Sequence, residues 1–289
     1  MPENRTLETL TVADDLTITR MGYGAMQLAG PNAFGEPRDR AEALAVLREA
    51  ADSGITHIDT ADYYGPVITN RLIREALHPY NGITVATKVG WRRPDDGAPV
   101  QSLDPADLQA QVQDNLHHLG VDTLDLVNLR LAGAEAPTPQ SIEAPFSALA
   151  ELQQKGLIKH LGISNVSSGE LTEAQRIAPV VAIQNLYNLA NRQDEDLVDR
   201  AARDHIAFVP FFPLGGFNPL QSDVLSSVAN GLGAAPQQVA LAWLLQRSST
   251  MAVIPGTSSR AHLRDNIVAV DLALPADAID ELDAIGARD

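Results

Sequence analysis

The chain has 289 residues, of which 45% are hydrophobic, and a formal net charge of −16 at pH 7. This acidic balance, without a basic stripe, argues against nucleic acid and anionic membranes as partners. The sequence contains no cysteine, which excludes disulfides, Cys-type zinc sites and thiol nucleophiles. No apolar run reaches the roughly 18 residues of a membrane span, and the first residues do not resemble a signal peptide, so we expect a cytoplasmic protein.

Strand-like and helix-like segments alternate through most of the chain. Predicted strands cover residues 19–26, 56–61, 83–89, 124–129, 159–164, 181–186, 207–212 and 251–256. The clearest amphipathic helices cover residues 38–54, 104–120, 141–156 and 195–205, and three of them end at Gly54, Gly120 and Gly156. Short apolar strands separated by helices predict an α/β fold, a (β/α)8 TIM barrel formed as a single domain over residues 1–289.

A doubly wound sheet is the alternative fold, and it would normally open with a Gly-x-Gly-x-x-Gly turn. The first predicted strand has Gly22 and Gly24, but Met26 and Gln27 occupy the region where the third glycine is needed. Two segments fall outside the barrel repeat. Residues 7–20 predict an N-terminal β-hairpin that closes the barrel floor, and residues 218–247 hold two helical stretches, one of them an extra helix near the C-terminal end.

Polar residues follow several predicted strands at the ends where barrels of this kind hold their active sites. Asp59 ends the second strand, Tyr64 follows five residues later, and Lys88 ends the third strand. A nearby ammonium makes a phenol a better proton donor, and a carboxylate holds the ammonium in place. Singly, each residue is equally explained as a turn residue, a rim aromatic or a solvated strand end. Together they predict a general acid.

The fourth predicted strand, LDLVNLR, ends in Arg130, although an unpaired buried charge is costly. Three roles are open for this guanidinium. The guanidinium could stabilise a developing oxyanion by its fixed charge, bind a substrate oxygen, or pair with a structural carboxylate.

Six segments occur in the order and spacing of a known family: GITHIDTADYYG, VATKVG, LDLVNL, LGISNV, FFPLGG and IPGTSS…LRDNI. They resemble the successive motifs of the aldo-keto reductases, and the resemblance covers nearly the whole chain. It implies an α/β barrel that reduces carbonyl compounds with a nicotinamide cofactor. GYGAMQLAGP, VPFFPLGGF and IPGTSSRAHLR carry a narrower likeness to the bacterial pyridoxal reductases.

The resemblance implies roles for the residues at matching positions. Tyr64, not Tyr63, is the proton donor, with Asp59 and Lys88 as its partners. Arg130 stands where the family usually has a histidine, and unlike histidine it only donates hydrogen bonds and always carries charge. The implied cofactor contacts are Gly24, Ala25, Met26, Asp59, Ser164, Asn165, Gln184, Phe211, Phe212, Pro213, Leu214, Gly216, Gly256, Thr257, Ser258, Ser259, Arg260, Arg264 and Asn266.

Within this set, Ser164, Asn165 and Gln184 would hold the nicotinamide carboxamide, and Phe211 would stack on the ring. Arg260 and Arg264 are the candidates for the 2′-phosphate of NADPH, the expected cofactor, with NADH as the alternative. No histidine and carboxylate cluster has metal spacing, so no metal is expected.

The predicted substrate pocket is mostly aromatic and apolar, and suits a pyridine ring. It is formed by Tyr23, Met26, Trp91, Arg130, Phe212 and Phe217. The first hypothesis is therefore reduction of the aldehyde pyridoxal by a monomer or weak homo-oligomer. The alternatives are another small aldehyde, ketone or sugar as substrate, or a nicotinamide-binding regulatory subunit with little turnover.

Overall fold

The structure, a computed structural model, describes residues 6–94, 97–133, 140–216 and 220–286. Its strands are β1 (Thr9–Ala13), β2 (Leu16–Thr19), β3 (Tyr23–Gly24), β4 (His57–Asp59), β5 (Thr84–Val89), β6 (Trp91–Arg92), β7 (Val100–Gln101), β8 (Leu124–Arg130), β9 (Ile158–Ser164), β10 (Ala182–Gln184) and β11 (Ala207–Phe208). Its helices are α1 (Arg40–Asp52), α2 (Ile68–Leu77), α3 (Pro105–Leu119), α4 (Glu143–Gln154), α5 (Ser168–Ile177), α6 (Glu195–Arg203), α7 (Asp223–Leu232), α8 (Pro236–Arg247), α9 (Arg260–Val268) and α10 (Ala276–Gly286).

Seven parallel strands form a curled sheet in the order β11-β10-β9-β8-β5-β4-β3. The predicted eighth strand, residues 251–256, joins its two edges through isolated bridges rather than a continuous ladder. Met251 pairs with Phe208 of β11, and Val253 pairs with Met21 just before β3. The ring of strands is thereby closed, as the (β/α)8 prediction requires, and no edge of the sheet stays unpaired.

Side chains alternate between the inside of the barrel and its helical layer along each strand. On β5, Val85 and Val89 pack into the outer hydrophobic core, whereas Ala86 belongs to a separate inner cluster. Lys88 lies two residues beyond Ala86, on the same inward side. The same rule on β8 places Leu126 in the inner cluster and directs Arg130 to the inner rim.

The N-terminal hairpin of β1 and β2 is present, with Leu10 paired to Ile18. Leu16 and Ile18 join the inner cluster with Ala86, Leu126 and other small or apolar residues of the strands. The floor of the barrel therefore has a largely apolar lining, and polar chemistry is expected at the opposite, carboxyl end of the strands.

The predicted helices are confirmed as α1, α3, α4 and α6, and α7 and α8 both lie between β11 and the eighth strand segment. Asp39 caps α1 by accepting from the Glu42 amide, and Gly120 ends α3 in the left-handed conformation at φ 73°. The short β6–β7 hairpin was not predicted, because each strand has only two residues. Among the described residues, the helices are too short or too polar to cross a membrane.

Gly162 of β9 is required by close packing inside the barrel. A Cβ built at this position would lie 2.0 Å from Oδ1 of Asn128 and 3.0 Å from the Ala182 carbonyl oxygen. The Ala182 carbonyl oxygen belongs to the backbone of β10, which pairs with β9, so that contact cannot relax without moving the ladder. The Asn128 contact is with a buried side chain of the other neighbour, β8.

We therefore expect Gly162→Ala to lower the free energy of unfolding by roughly 1–3 kcal/mol, the usual cost of overpacking. Gly231→Ala is the matched control, because its Cβ would meet nothing within 4 Å in helix α7 and should stabilise the protein slightly. Denaturant unfolding measures both. Adding Asn128→Ala to Gly162→Ala should recover part of the lost free energy of unfolding. An equal loss in Gly162→Ala and Gly231→Ala would contradict the packing argument.

Candidate active site

Asp59 and Lys88 form a buried ion pair at the carboxyl end of the barrel. The Lys88 ammonium donates to Oδ1 of Asp59 at 2.6 Å and to the Thr60 carbonyl oxygen at 2.9 Å. The second carboxylate oxygen accepts from Nε2 of Gln184 at 2.8 Å. The lysine and aspartate side chains are only 1% and 4% exposed. Such a pair is stable only when its remaining hydrogen-bonding groups are satisfied, and both residues meet that condition here.

Tyr64 lies directly against this pair, and the Lys88 nitrogen is 5.2 Å from the centroid of its ring. Burial, followed by the charge of Asp59, raises the pKa of Tyr64 above its ordinary value, whereas Arg130 and the Tyr63 side chain lower it. Tyr64 consequently keeps its proton at neutral pH, which a proton donor requires.

Tyr63 packs edge-to-face on Tyr64, with ring centroids 5.0 Å apart. Burial raises the pKa of Tyr63 as well, and the Arg130 charge opposes that rise. The two phenols face different spaces, because Tyr64 and Asp59 line the cleft described below whereas Tyr63 lines a neighbouring cavity. This arrangement is consistent with the assignment of Tyr64 rather than Tyr63 to the reaction.

Arg130 projects from the end of β8 into the same site. Its guanidinium donates to the Gly133 carbonyl oxygen at 2.7 Å and to the Ser164 hydroxyl at 3.4 Å, and it lies 4.8 Å from the centroid of the Phe211 ring. Within the described part of the chain, no carboxylate pairs with it. The structural-carboxylate interpretation of Arg130 is therefore not supported there, and its charge lies close enough to Tyr63 and Tyr64 to lower the pKa of both phenols against the effect of burial.

A cleft beside Tyr64 contains many of the predicted cofactor contacts. Its lining comprises Gly24, Met26, Gln27, Asp59, Tyr64, Phe211, Phe212, Pro213, Leu214, Gly216, Ile254, Pro255 and Gly256. Glycines keep the base of this cleft narrow, because a Cβ on Gly24 would lie 2.6 Å from the Ile254 carbonyl oxygen. Gln27, Ile254 and Pro255 were not predicted as contacts, although the last two stand next to the predicted Gly256.

The predicted carboxamide ligands meet around Asp59 and Arg130. Ser164 is buried and accepts from Arg130, and the Asn165 amide donates to the Gly133 carbonyl oxygen at 2.7 Å. Gln184 is 1% exposed, and its Oε1 has no hydrogen-bond partner among the described residues. A buried acceptor without a donor fits a ligand amide, so this observation agrees with a nicotinamide carboxamide at that position. No sequence signal marked Gly133, which contributes only its carbonyl group.

The adenosine segment follows the eighth strand and begins helix α9. Thr257 is buried, its carbonyl oxygen accepts from the Tyr23 hydroxyl at 2.5 Å, and Ser259 caps α9. Asn266 is buried on the same helix, whereas Ser258 is exposed. Ala25 is buried in the short 3-10 helix after β3.

Arg260 and Arg264 pair with carboxylates of helix α1. Nε of Arg260 lies 3.1 Å from Oε2 of Glu42, and a guanidinium nitrogen of Arg264 lies 3.0 Å from Oε2 of Glu49. Glu42 also accepts from the Arg260 backbone amide at 3.1 Å, and these contacts lower the pKa of the carboxyl. Both arginines expected at a phosphate thus already have partners.

The predicted substrate pocket is only partly assembled from the expected residues. Met26 and Phe212 line the cleft, and Trp91 lines the neighbouring cavity with Tyr63 and Lys88. Tyr23 is instead fully buried in the helical layer, because β3 turns Gly22 and Gly24 inward and the residue between them outward. Phe217 lies outside the described residues.

His57 is buried two residues before Asp59, inside the barrel. Burial and the charge of Lys88 lower its pKa to about 4, against an opposing effect of Asp59. The folded protein therefore binds this proton more weakly than the unfolded chain, whose histidine has a pKa of 6.5. The resulting stability is fully present above that value and decreases as the pH falls toward 4.

We expect His57→Asn to reduce the loss of unfolding free energy between pH 6.5 and 4 by up to about 1.4 kcal/mol per pH unit, the slope for one proton. Denaturant unfolding at a series of pH values measures this slope. His117→Asn, on the exposed side of α3, is the control and should keep the original slope. Identical slopes for all three proteins would show that His57 does not stay neutral on folding.

Comparison with known proteins gives a consistent result. The model of the aldo/keto reductase family matches residues 20–287. The chain is 55% identical over 272 residues to the pyridoxine 4-dehydrogenase of Escherichia coli, covering 93% of this chain and 95% of that protein. A thermostable aldo-keto reductase crystallised with the inhibitor epalrestat is similar with a TM-score of 0.82 and 28% identity, covering 97% of this chain and all of that one. A Klebsiella pneumoniae aldo/keto reductase in complex with NADP and acetate shares the fold, with a TM-score of 0.79 and 23% identity, covering 97% and 96% of the two chains.

Proposed function

The chain belongs to the aldo/keto reductase family, and from that premise we propose that it reduces pyridoxal to the corresponding alcohol with NADPH. One observation carries the enzymatic part of the proposal. Tyr64, Asp59 and Lys88 form a single buried cluster, with the ammonium 2.6 Å from the carboxylate and 5.2 Å from the phenol ring centroid. A regulatory subunit with little turnover would have no need for this costly arrangement.

The choice of substrate rests on similarity. The Escherichia coli relative that is 55% identical is a pyridoxine 4-dehydrogenase, and pyridoxal and pyridoxine differ by one hydride and one proton. Met26, Phe211 and Phe212 give the cleft apolar and aromatic walls, which suit a flat pyridine ring. Another small aldehyde is the alternative substrate within the same reaction class.

The residues of the cleft fit a nicotinamide cofactor. Gln184 offers a buried acceptor for the carboxamide, and the Phe211 ring offers an aromatic face for stacking. Met26, Leu214, Gly216 and Gly256 would border the pyrophosphate, and the adenosine end would follow residues 256–266. The bound cofactor supplies a hydride to the carbonyl carbon of the aldehyde. All remaining chemistry falls to side chains of the protein.

Tyr64 donates its phenolic proton to the carbonyl oxygen as that oxygen becomes an alkoxide. The proton is held at neutral pH because burial raises the pKa of Tyr64, yet an alkoxide is basic enough to take it. Asp59 and Lys88 lie beside the phenol and fix its position, and their opposite charges largely cancel. Since Arg130 has no dissociable proton in the working pH range, Tyr64 is the sole acid in this scheme.

Arg130 stabilises the same oxygen by charge. Its guanidinium is anchored by the Gly133 carbonyl group and by the Ser164 hydroxyl, so it costs little reorganisation when negative charge develops. Histidine at this position would add a titratable group, whereas arginine gives a permanent positive charge. The oligomeric state and the cytoplasmic location stay predictions of the sequence.

Steady-state reduction of pyridoxal with NADPH tests the proposal, alongside a panel of other aldehydes. The unaltered protein should turn pyridoxal over with the highest kcat/KM of the panel. Tyr64→Phe should reduce kcat by two or more orders of magnitude, in line with the roughly 10²–10⁴-fold value of a positioned acid. NADPH binding, followed by fluorescence titration, should persist in this variant.

Tyr63→Phe is the matched control for the loss of a neighbouring hydroxyl. We expect an effect below about tenfold, since Tyr63 packs edge-to-face on Tyr64 and its hydrogen bond only lowers the pKa of the proton donor. A damaging Tyr63→Phe beside a nearly silent Tyr64→Phe would overturn the assignment of the acid. If the protein reduced other aldehydes but not pyridoxal, the proposed reaction class would stand and pyridoxal would be excluded as its substrate.

Arg130→Met removes the charge and keeps much of the apolar bulk, so β8 should still pack. We expect kcat to fall by roughly 10²-fold, about the loss that follows removal of one oxyanion donor, with little change in NADPH affinity. Arg130→Lys should recover only part of the rate, because an ammonium lacks the planar fork that reaches Gly133 and Ser164 together.

Arg130→His restores the residue that the family usually has. It should stay well below the unaltered enzyme, because a shorter side chain cannot keep the Gly133 contact and reach the reaction centre. Rapid-mixing and steady-state kinetics with pyridoxal compare the three variants. A histidine variant as fast as the original would show that any donor suffices, and an unchanged methionine variant would remove Arg130 from the catalytic residues.

A further inference from the structure

Arg93 lies at the carboxyl-end rim of the barrel, directly after β6, and has no part in the proposed mechanism. Its Nε donates to the Gly97 carbonyl oxygen at 2.8 Å, and its Nη1 donates to the Ala33 carbonyl oxygen at 2.6 Å. Nη1 and Nη2 also donate to the Asn32 carbonyl oxygen, at 3.1 and 3.2 Å. The guanidinium carbon lies 5.0 Å from the centroid of the Phe34 ring. Arg93 thus joins two loops through their backbone carbonyl groups, which suits the five donors that an arginine presents in one plane.

One of these loops, residues 30–35, is called the rim loop below. Its ends meet, because the Gly30 amide donates to the Gly35 carbonyl oxygen at 3.0 Å. Between them, Asn32 and Ala33 both adopt the left-handed backbone conformation, at φ 58° and 54°. Residues other than glycine rarely adopt this conformation, and they keep it only where surrounding contacts hold it. Arg93 binds the carbonyl groups of both residues, so its guanidinium supplies contacts of this kind.

The rim loop pairs with the backbone next to Tyr64. The Gly65 amide donates to the Ala33 carbonyl oxygen at 3.0 Å, and the Gly35 amide donates to the Gly65 carbonyl oxygen at 2.8 Å. The Ala33 carbonyl oxygen therefore accepts from Arg93 and from Gly65 at the same time. Gly65 has a φ of 102°, which glycine adopts without strain, and it directly follows Tyr64 in the chain. The rim loop thus holds the backbone of the proposed proton donor from one side.

We propose that Arg93 is a positioning residue for the reaction, which fixes the rim loop and, through the backbone of Gly65, the position of Tyr64. The inference rests on the proposed function, since it takes Tyr64 as the proton donor. Asp59 and Lys88 act on the side chain of Tyr64, whereas Arg93 acts on its backbone and does not contact the reacting atoms. Proton transfer requires hydrogen-bond reach, so a small displacement of the phenol lowers the rate. Within the described residues the rim loop does not line the cofactor cleft, so the effect is expected on the rate rather than on cofactor binding.

Hydrogen exchange of the Gly65 and Gly35 amides, followed by NMR on the whole protein, tests this hold without any turnover. Arg93→Met removes the donors and keeps an apolar stem, and exchange at both amides should become faster by about tenfold or more, the effect of losing hydrogen bonds from a charged group. Arg92→Met is the matched control, because it removes the same charge from the preceding residue, whose guanidinium contacts Asp114 of α3 at 3.2 Å. It should leave both exchange rates within about twofold.

Steady-state reduction of pyridoxal with NADPH measures the consequence for the reaction. Arg93→Met should lower kcat by about tenfold or more and leave the Kd of NADPH within about threefold. Arg93→Lys should recover part of the rate, because an ammonium still donates to a carbonyl group but lacks the planar fork. In a Tyr64→Phe background, Arg93→Met should change kcat by less than about twofold, because an acid that is absent cannot be misplaced.

An unchanged exchange rate of the Gly65 amide in Arg93→Met would overturn the inference. An equal loss of kcat with and without the Tyr64 hydroxyl would do the same, since Arg93 would then act on something other than the acid. Both results leave the proposed function intact. A protein that reduces no aldehyde would instead refute the proposed function, and the exchange rates would then decide by themselves whether Arg93 holds Gly65. If the methionine variant does not fold, Arg93→Lys gives the same comparisons with smaller effects.

Discussion

The buried ion pair between Asp59 and Lys88 is the interaction on which the site depends. Removing two charges from water costs several kcal/mol per ion, and only well-placed hydrogen bonds offset that cost. Here the Thr60 carbonyl group and the Gln184 amide complete the two partners, and the Tyr64 ring covers the ammonium. Asp59 and Lys88 come from the neighbouring strands β4 and β5, and Gln184 comes from β10 on the other side of the sheet, so the full set of partners is present only when these strands are assembled. The chemistry is thus tied to the fold rather than to any one segment.

The interior of the barrel is filled mainly by small and apolar side chains. Ala86 and Leu126 share the inner hydrophobic cluster with Leu16 and Ile18 of the hairpin, which gives the lower part of the barrel a largely apolar lining. Gly162 leaves the space that the Asn128 side chain fills. Asp59, Lys88 and Arg130 lie at or next to the carboxyl ends of their strands, with His57 buried two residues before Asp59. At this rim the lysine finds the partners that a buried charge needs, in a strand that is otherwise mostly apolar.

The sequence predicted the elements that follow a local period and missed those that depend on packing between elements. Asp59, Lys88 and Arg130 were predicted at the strand ends, and the structure brings all three to one rim, because a two-residue period fixes which side a strand residue faces. The same period between Gly22 and Gly24 already turned Tyr23 outward, a signal that the sequence analysis did not use. By contrast, the contact of the Asn165 amide with the Gly133 carbonyl oxygen and the pairing of Arg260 with Glu42 join residues far apart in the chain, and neither leaves a trace in local composition.

Arg130 stands where the family usually has a histidine, and this difference changes how the chemistry of the site depends on pH. A histidine can donate a hydrogen bond in one state and release a proton in the other, so it couples oxygen stabilisation to titration. In the proposed mechanism Arg130 separates the two tasks, because its charge is permanent and the proton comes from Tyr64. The neighbouring Tyr63 and the guanidinium both lower the pKa of Tyr64 against the effect of burial and of Asp59, so Arg130 influences the acid as well as the oxygen. In that mechanism an arginine at this position does more than replace a donor, because its charge also lowers the pKa of Tyr64.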